Sequence, residues 1–166
     1  MNSQSTADLA ASITRTASRQ TYYTFRFLVD RPLVADAYRA YGYFRWLDDQ
    51  LDAGAMDRPD RLAFVRRQEK LVDLCQRGRQ PPDVSPEEQM LVDLLRPDEP
   101  DGSGLRMYIS NMMRVMAFDA DRRGRVISRA ELAEYTLSLA TAVTEALHHF
   151  IGHGDPWLLD DLGLDM

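Results

Sequence analysis

No stretch of this chain alternates β-branched with polar residues; its apolar positions recur every three or four residues, which commits it to helices. The helix boundaries are spelled out along the chain. Asp30 with Pro32 opens one helix that runs to about Asp52, where Gly54 ends it. Asp57-Arg58-Pro59 opens the next, with Leu62, Val65, Glu69 and Val72 at helical spacing and a stop near Gly78. After a Pro-rich link from Gln80 to Val84, Ser85-Pro86-Glu87-Glu88 combines an N-cap, a Pro at the first helical position and a capping-box Glu. Arg96 to Gly104, with two Pro and two Gly, is a loop. A Met-rich helix (Met107, Met112, Met113, Met116) then runs to Arg123 and closes at Gly124. Ser128 with Glu131 forms a second capping box, starting a long helix to about Gly152. Asp155-Pro156 then opens a further short helical pattern through Leu162 before Met166. The expectation is an all-α bundle, residues 1–166 forming one domain around one core.

At 166 residues and 45% hydrophobic, the chain can bury such a core. A net charge of −6 argues against nucleic acid, whose binding needs a basic surface. No apolar run approaches the ~20 residues that span a bilayer. The first 18 residues lack the apolar core of a secretory signal, and Asp8 weakens any likeness of Arg15 and Arg19 to a transit sequence. The one cysteine, Cys75, excludes an internal disulfide and sits among Leu71, Val72 and Leu74 as a buried inert thiol. A cytoplasmic location is expected.

The chemistry concentrates in residues 38–52, Tyr-Arg-Ala-Tyr-Gly-Tyr-Phe-Arg-Trp-Leu-Asp-Asp-Gln-Leu-Asp. At about 100° per residue, Tyr41, Arg45, Asp48 and Asp52 share a narrow sector of one helix face. Carboxylates one turn apart repel by a few tenths of a kcal/mol, and at a helix C-terminus they also oppose the dipole. Such a pair beside an Arg and aromatic rings calls for a cation between them. Mg²⁺ carrying a diphosphate meets that need, because it takes hard oxygen ligands and shares its coordination with phosphates. Asp49, about 80° off the line, belongs to the rim.

Other candidates are weaker. Asp119, Asp121, Arg122 and Arg123 read as a solvated helix end. Glu145-Ala-Leu-His148 is half of a di-iron pattern with no second copy, and His149 with His153 lacks a third zinc ligand. Ser138, Thr141, Glu145 and His148 make a polar stripe that faces solvent or a cavity. The methionines are adaptable core or the lining of an apolar tunnel.

Together these residues resemble the squalene/phytoene synthase family, the head-to-head prenyl transferases. Ser18-Arg-Gln-Thr-Tyr-Tyr-Thr-Phe-Arg-Phe-Leu28 is similar, with one residue of offset, to the family's Ser-Lys-Thr-Phe-Tyr…Phe-Arg-Phe-Leu segment. Ala37 to Asp52 resembles its first aspartate-rich motif, Ala-Leu-Tyr-Ala-Phe-Cys-Arg-x-x-Asp-Asp-x-x-Asp. Met116-Ala-Phe-Asp119-Ala-Asp-Arg122 with Glu131-Leu-Ala-Glu-Tyr135 resembles the Met-x-x-Asp-x-x-Arg and Leu-x-x-Tyr landmarks. The chain departs at Ala140-Thr141-Ala142-Val143-Thr144, where members carry Ala-Gly-x-Val-Gly, which implies a narrower tunnel. Members run to nearly twice this length. Their second aspartate-rich motif lies beyond Met166, so the expected fold is an isoprenoid-synthase-like bundle without its C-terminal helices.

The resemblance implies Asp48 and Asp52 as Mg²⁺ ligands and Arg45 as the diphosphate contact. It further implies Ser18 and Thr21 as hydroxyls near a diphosphate and Tyr41 as a ring facing the substrate, with Tyr43 and Phe44 helping to line the cavity. The implied reaction joins two prenyl diphosphates, farnesyl or geranylgeranyl, through a cyclopropyl intermediate in isoprenoid (terpenoid or carotenoid) biosynthesis. Implied partners are a C-terminal half or a second copy of the chain, and a membrane surface in peripheral contact. The alternative is a catalytically silent binding or assembly module of the same family; an unrelated helical interaction domain is disfavoured by the ordered three-part match.

Overall fold

A computed structural model describes residues 3–54 and 56–152. Among them are seven α-helices: α1 (Ser3–Ala17), α2 (Arg19–Leu28), α3 (Val34–Asp52), α4 (Arg58–Gln76), α5 (Pro86–Leu94), α6 (Gly104–Arg122) and α7 (Arg129–Ile151). No strand occurs among the described residues.

The predicted boundaries are made by the predicted caps. The Asp57 carboxylate accepts from Asp60 N at 2.9 Å to open α4. Ser85–Glu88 and Ser128–Glu131 form both halves of their capping boxes, opening α5 and α7. Gly78 and Gly124 take φ of +66° and +85° just past the ends of α4 and α6, a conformation that costs glycine least. Asp30 departs from expectation. It precedes a single 3₁₀ turn, Arg31–Leu33, closed by its carbonyl accepting from Leu33 N at 2.8 Å, and its side chain makes no cap hydrogen bond there. The tight i→i+3 turn through Pro32 delays α-helical pairing, so α3 begins at Val34. Residues 153–166, including His153 and the Asp155–Leu162 pattern, lie outside the described residues.

α3 is the central helix, packed by α1, α5 and α6, while α4 and α7 lie against α6. Its Ala37, Ala40, Tyr43, Phe44, Leu47 and Leu51 are buried in one continuous core with Met90, Leu91 and Leu94 of α5 and Leu105, Ile109 and Val115 of α6. α1 approaches α3 closely at Gly42, where a Cβ would stand 3.1 Å from the Cα of Ala10. Buried polar groups tie the same helices. Arg39 donates to Asp36 (2.6 Å), to Thr6 (3.1 Å) and to the Ser3 hydroxyl (2.8 Å), and Asp36 also accepts from Arg96 at 2.7 Å. On the other side Tyr43 donates to Gln68 (3.0 Å), which donates to Glu88 (2.9 Å), joining α3, α4 and α5. Cys75 is buried, and burial pushes its thiol up to about 11, as expected of an inert cysteine.

α7 is the exception to this dense packing. Ala142 and Phe150 are buried and Tyr135, Leu139, Ala146 and Ile151 are half-buried against the core, while Leu132, Leu137, Val143 and Leu147 are exposed.

Candidate functional site

Tyr41, Arg45, Asp48 and Asp52 stand one turn apart along the C-terminal half of α3, the alignment their spacing dictates. What faces them comes from α6 and α7. A hollow of about 260 Å³ is lined by Tyr41, Phe44, Arg45 and Asp48 of α3, Tyr108, Met112, Val115, Met116 and Asp119 of α6, and Tyr135 and Leu139 of α7. Its floor is apolar and aromatic; Phe44 meets Tyr108 edge-on at 5.4 Å, and the buried Tyr108 hydroxyl reaches the Ala40 carbonyl at 3.4 Å. Its rim is acidic.

The rim carboxylates are crowded. Burial raises the Asp48 carboxyl above its ordinary value, and Asp52, Asp119 and Asp49 push it further up against the pull of Arg45. Arg45 lies 3.4 Å from Asp48 but bonds more closely to Asp49, through Nη2 to Oδ1 and Nε to Oδ2 (3.3 Å). Asp49, placed on the rim by its angle, is thus the principal partner of Arg45. Asp119 pairs with Arg122, whose guanidinium stands 5.9 Å from the centre of the Tyr135 ring. The Tyr135 hydroxyl is held above its usual range by burial first and then by the Asp119 charge.

Asp119 is the residue that sequence reasoning undervalued. On the sequence it is one of several charges at a helix end; in the fold its side chain turns inward to the hollow while Asp121 turns outward to Arg58 and Arg125. The Met-x-x-Asp spacing, which puts Asp119 about 60° from Met116 on the helix, is the signal that points to it. The methionines divide likewise: Met112 and Met116 line the hollow, Met113 is buried in the core, and Met107 is exposed. Tyr43 corrects an expectation. It sits about 200° round α3 from Tyr41, fully buried toward Gln68, and lines no part of the hollow.

Ser18 and Thr21 lie at the start of α2. Ser18 Oγ accepts from Thr21 N (3.1 Å) and from the Thr21 hydroxyl (2.8 Å), so Ser18 is the N-cap of that helix. The preceding residues Ser12, Ile13, Thr16 and Ala17 border a second, open hollow of about 510 Å³ whose far side is Arg45 and Asp49. Arg45 therefore borders both hollows, whereas Ser18 and Thr21 line neither. Tyr41 touches Phe25 of α2 edge-on at 6.0 Å, which ties α2 to the same helix face. The polar stripe on α7 serves packing at one point: a Cβ at Gly104 would meet the Glu145 carboxylate at 3.4 Å, so that acid lies at the positive N-terminus of α6. Among the described residues no three His, Cys, Asp or Glu side chains converge closely enough to enclose a metal by themselves.

The family model for squalene/phytoene synthase matches residues 14–164. The chain belongs to the squalene/phytoene synthase family. The match spans α2 and the whole of the acidic rim, Asp119 and Tyr135 included. The family generally acts on prenyl diphosphates with Mg²⁺. Comparison with curated proteins and with solved structures gave no match. Among the described residues no helix is long and apolar enough to cross a membrane.

Proposed function

We propose that this chain is a prenyl transferase, or the N-terminal half of one, that holds a prenyl diphosphate with its hydrocarbon in the hollow and its diphosphate at the acidic rim, for head-to-head condensation. The observation that carries this is the crowding of Asp48: Arg45 leaves it under-neutralised beside Asp52 and Asp119, above an apolar floor. Crowded, partly neutralised carboxylates at the mouth of a greasy hollow suit a cation shared with an amphiphilic anion.

The donor set fits Mg²⁺, since Asp48 and Asp52 offer hard oxygens and two carboxylates leave positions for phosphate oxygens. When bound, Mg²⁺ would neutralise the diphosphate as it leaves. The protein's own groups do the rest. Arg45, with donors left over from Asp49, binds diphosphate oxygens, and the Ser18 and Thr21 hydroxyls at the start of α2 are the further groups to do so. Tyr41 turns its ring toward the allylic carbon that gains positive charge, an attraction of order 0.5–2 kcal/mol in a desolvated site. Phe44, Tyr108, Met112 and Met116 keep water from that carbon.

Calorimetry tests the reading. Mg²⁺ should bind weakly alone and at least tenfold more tightly with farnesyl thiodiphosphate, and the gain should vanish in Asp48→Ala. Equal Mg²⁺ affinity with and without the analogue, or an unchanged gain in Asp48→Ala, refutes it. Binding with no diphosphate release even when a C-terminal half carrying the second aspartate-rich motif is added would identify the silent module instead.

A further inference from the structure

A groove of about 510 Å³ runs along the outer side of α4, and the proposed reaction makes no use of it. Ala63, Arg66, Arg67, Lys70, Leu71 and Leu74 of α4 fall within a sector of about 140° and form one wall. Pro81 and Pro82 of the link before α5 form the other, and Glu88 closes the floor. The residues of α4 that share a cleft with α6, Glu69, Val72 and Gln76, point the opposite way, so the groove is separate from the hollow. The link is held in place. Arg67 donates to the Asp83 carbonyl (3.0 Å) as well as to Glu88 (2.9 Å), and Asp83 takes φ of +51°, in the left-handed region that sharp turns use.

We propose that this groove binds one molecule of an amphiphile with a phosphate head, the head between Arg66 and Lys70 and the chain between Leu74 and the prolines. Charge selects the head. Arg66 and Lys70 are exposed and stand one turn apart, where like charges repel, and neither hydrogen-bonds nor ion-pairs with a described residue. The acids around them are engaged elsewhere: Glu88 and Asp83 attract Arg67, Asp73 pairs with Arg77, and Glu69 lies on the α6 side. Two spare cations match a phosphate monoester, which carries close to two negative charges at neutral pH, better than a carboxylate carrying one. The fork of Arg66 adds paired hydrogen bonds to phosphate oxygens. The walls select the chain. Ala63, Leu74, Pro81 and Pro82 offer apolar surface, and proline rings are already rigid before anything binds. A membrane surface is the poorer occupant. The protein carries a net charge of −6, and no exposed large hydrophobic side chain lies on α4, the link or α5 to enter a bilayer. This inference is independent of the diphosphate reading.

The test is calorimetry of the 166-residue chain with octyl phosphate below its micelle concentration, without Mg²⁺ so that the acidic rim repels anions. Octyl phosphate should bind at one site per chain, with inorganic phosphate and octanoate each at least tenfold weaker. Arg66→Gln combined with Lys70→Gln should weaken octyl phosphate at least tenfold with helicity unchanged. Leu74→Ser should weaken octyl phosphate and leave inorganic phosphate as it was. Asp48→Ala should leave this binding unchanged, which separates it from the diphosphate site. No binding, binding that survives the double substitution, or inorganic phosphate binding as tightly as octyl phosphate overturns the proposal. So does capture by acidic vesicles that the double substitution abolishes, which would make the groove a membrane contact.

Discussion

Replacing Glu88 by Gln tests how the helix that carries the site is held. Four donors converge on this buried carboxylate: Arg67 through Nε and Nη2, Gln68 through Nε2, and Ser85 through its backbone N–H, each at 2.9 Å. The substituted amide keeps one acceptor oxygen and turns an NH₂ toward donors on the other side, so two of the four lose their partner in either orientation. Arg67 is 55% exposed and recovers its hydrogen bonds from water. Gln68 is fully buried and Ser85 N–H is part of a capping box; stranding either costs about 1–3 kcal/mol. With a urea m value of about 1–3 kcal/mol per M, the unfolding midpoint should fall by on the order of 1 M. The acid limb gives a second check. Burial alone would raise Glu88, but its bonds to Arg67, Ser85 and Gln68 outweigh it and hold the carboxyl below its ordinary 4.5. A lowered carboxyl contributes stability that is complete above about pH 4.5 and is lost as the pH falls through its folded value. That part of the acid destabilisation should be missing in Glu88→Gln. An unchanged midpoint at pH 7 together with an unchanged acid limb would refute the reasoning.

Asp48→Asn should stabilise the protein at pH 7 by a few tenths of a kcal/mol while removing cation binding. The raised Asp48 carboxyl means that ionising it opposes folding, so wild-type stability should fall as the pH rises from its ordinary value through the raised one. A melting temperature below wild type at pH 7 would contradict this. Gly42→Val drives side-chain atoms into the backbone of Ala10 and should cost about 1–3 kcal/mol in urea unfolding; a neutral result would mean that α1 is free to move off α3. The 166-residue chain assayed alone with Mg²⁺ and labelled farnesyl diphosphate should release no diphosphate, because the one aspartate-rich motif supplies half of an electrostatic clamp, and its missing half is worth several kcal/mol of barrier. Release that Asp52→Ala abolishes would show that one motif suffices.

Local chemistry alone settled the all-helical class, the starts of α4, α5 and α7, and the alignment of Tyr41, Arg45, Asp48 and Asp52. Capping and helical periodicity act over four residues or fewer, so the sequence displays them directly. The same holds for the family, whose landmarks fall in order along the chain. α1 escaped such reading because it buries Thr6, Ala7, Ala10 and Thr14, and small or hydroxyl residues raise little apolar signal; only the close approach of α3 at Gly42 makes them an interface. Which rings face the hollow was likewise a matter of packing. Phe44 and Tyr43 are neighbours of like type, and only Gln68 and Glu88 waiting on the far side decide that Tyr43 turns away. Asp119 is far beyond Asp52 in the chain, and its place beside Asp48 exists only because α6 packs on α3. Charges close together in sequence interact whatever the fold, whereas charges on different helices interact only where the core brings those helices into contact.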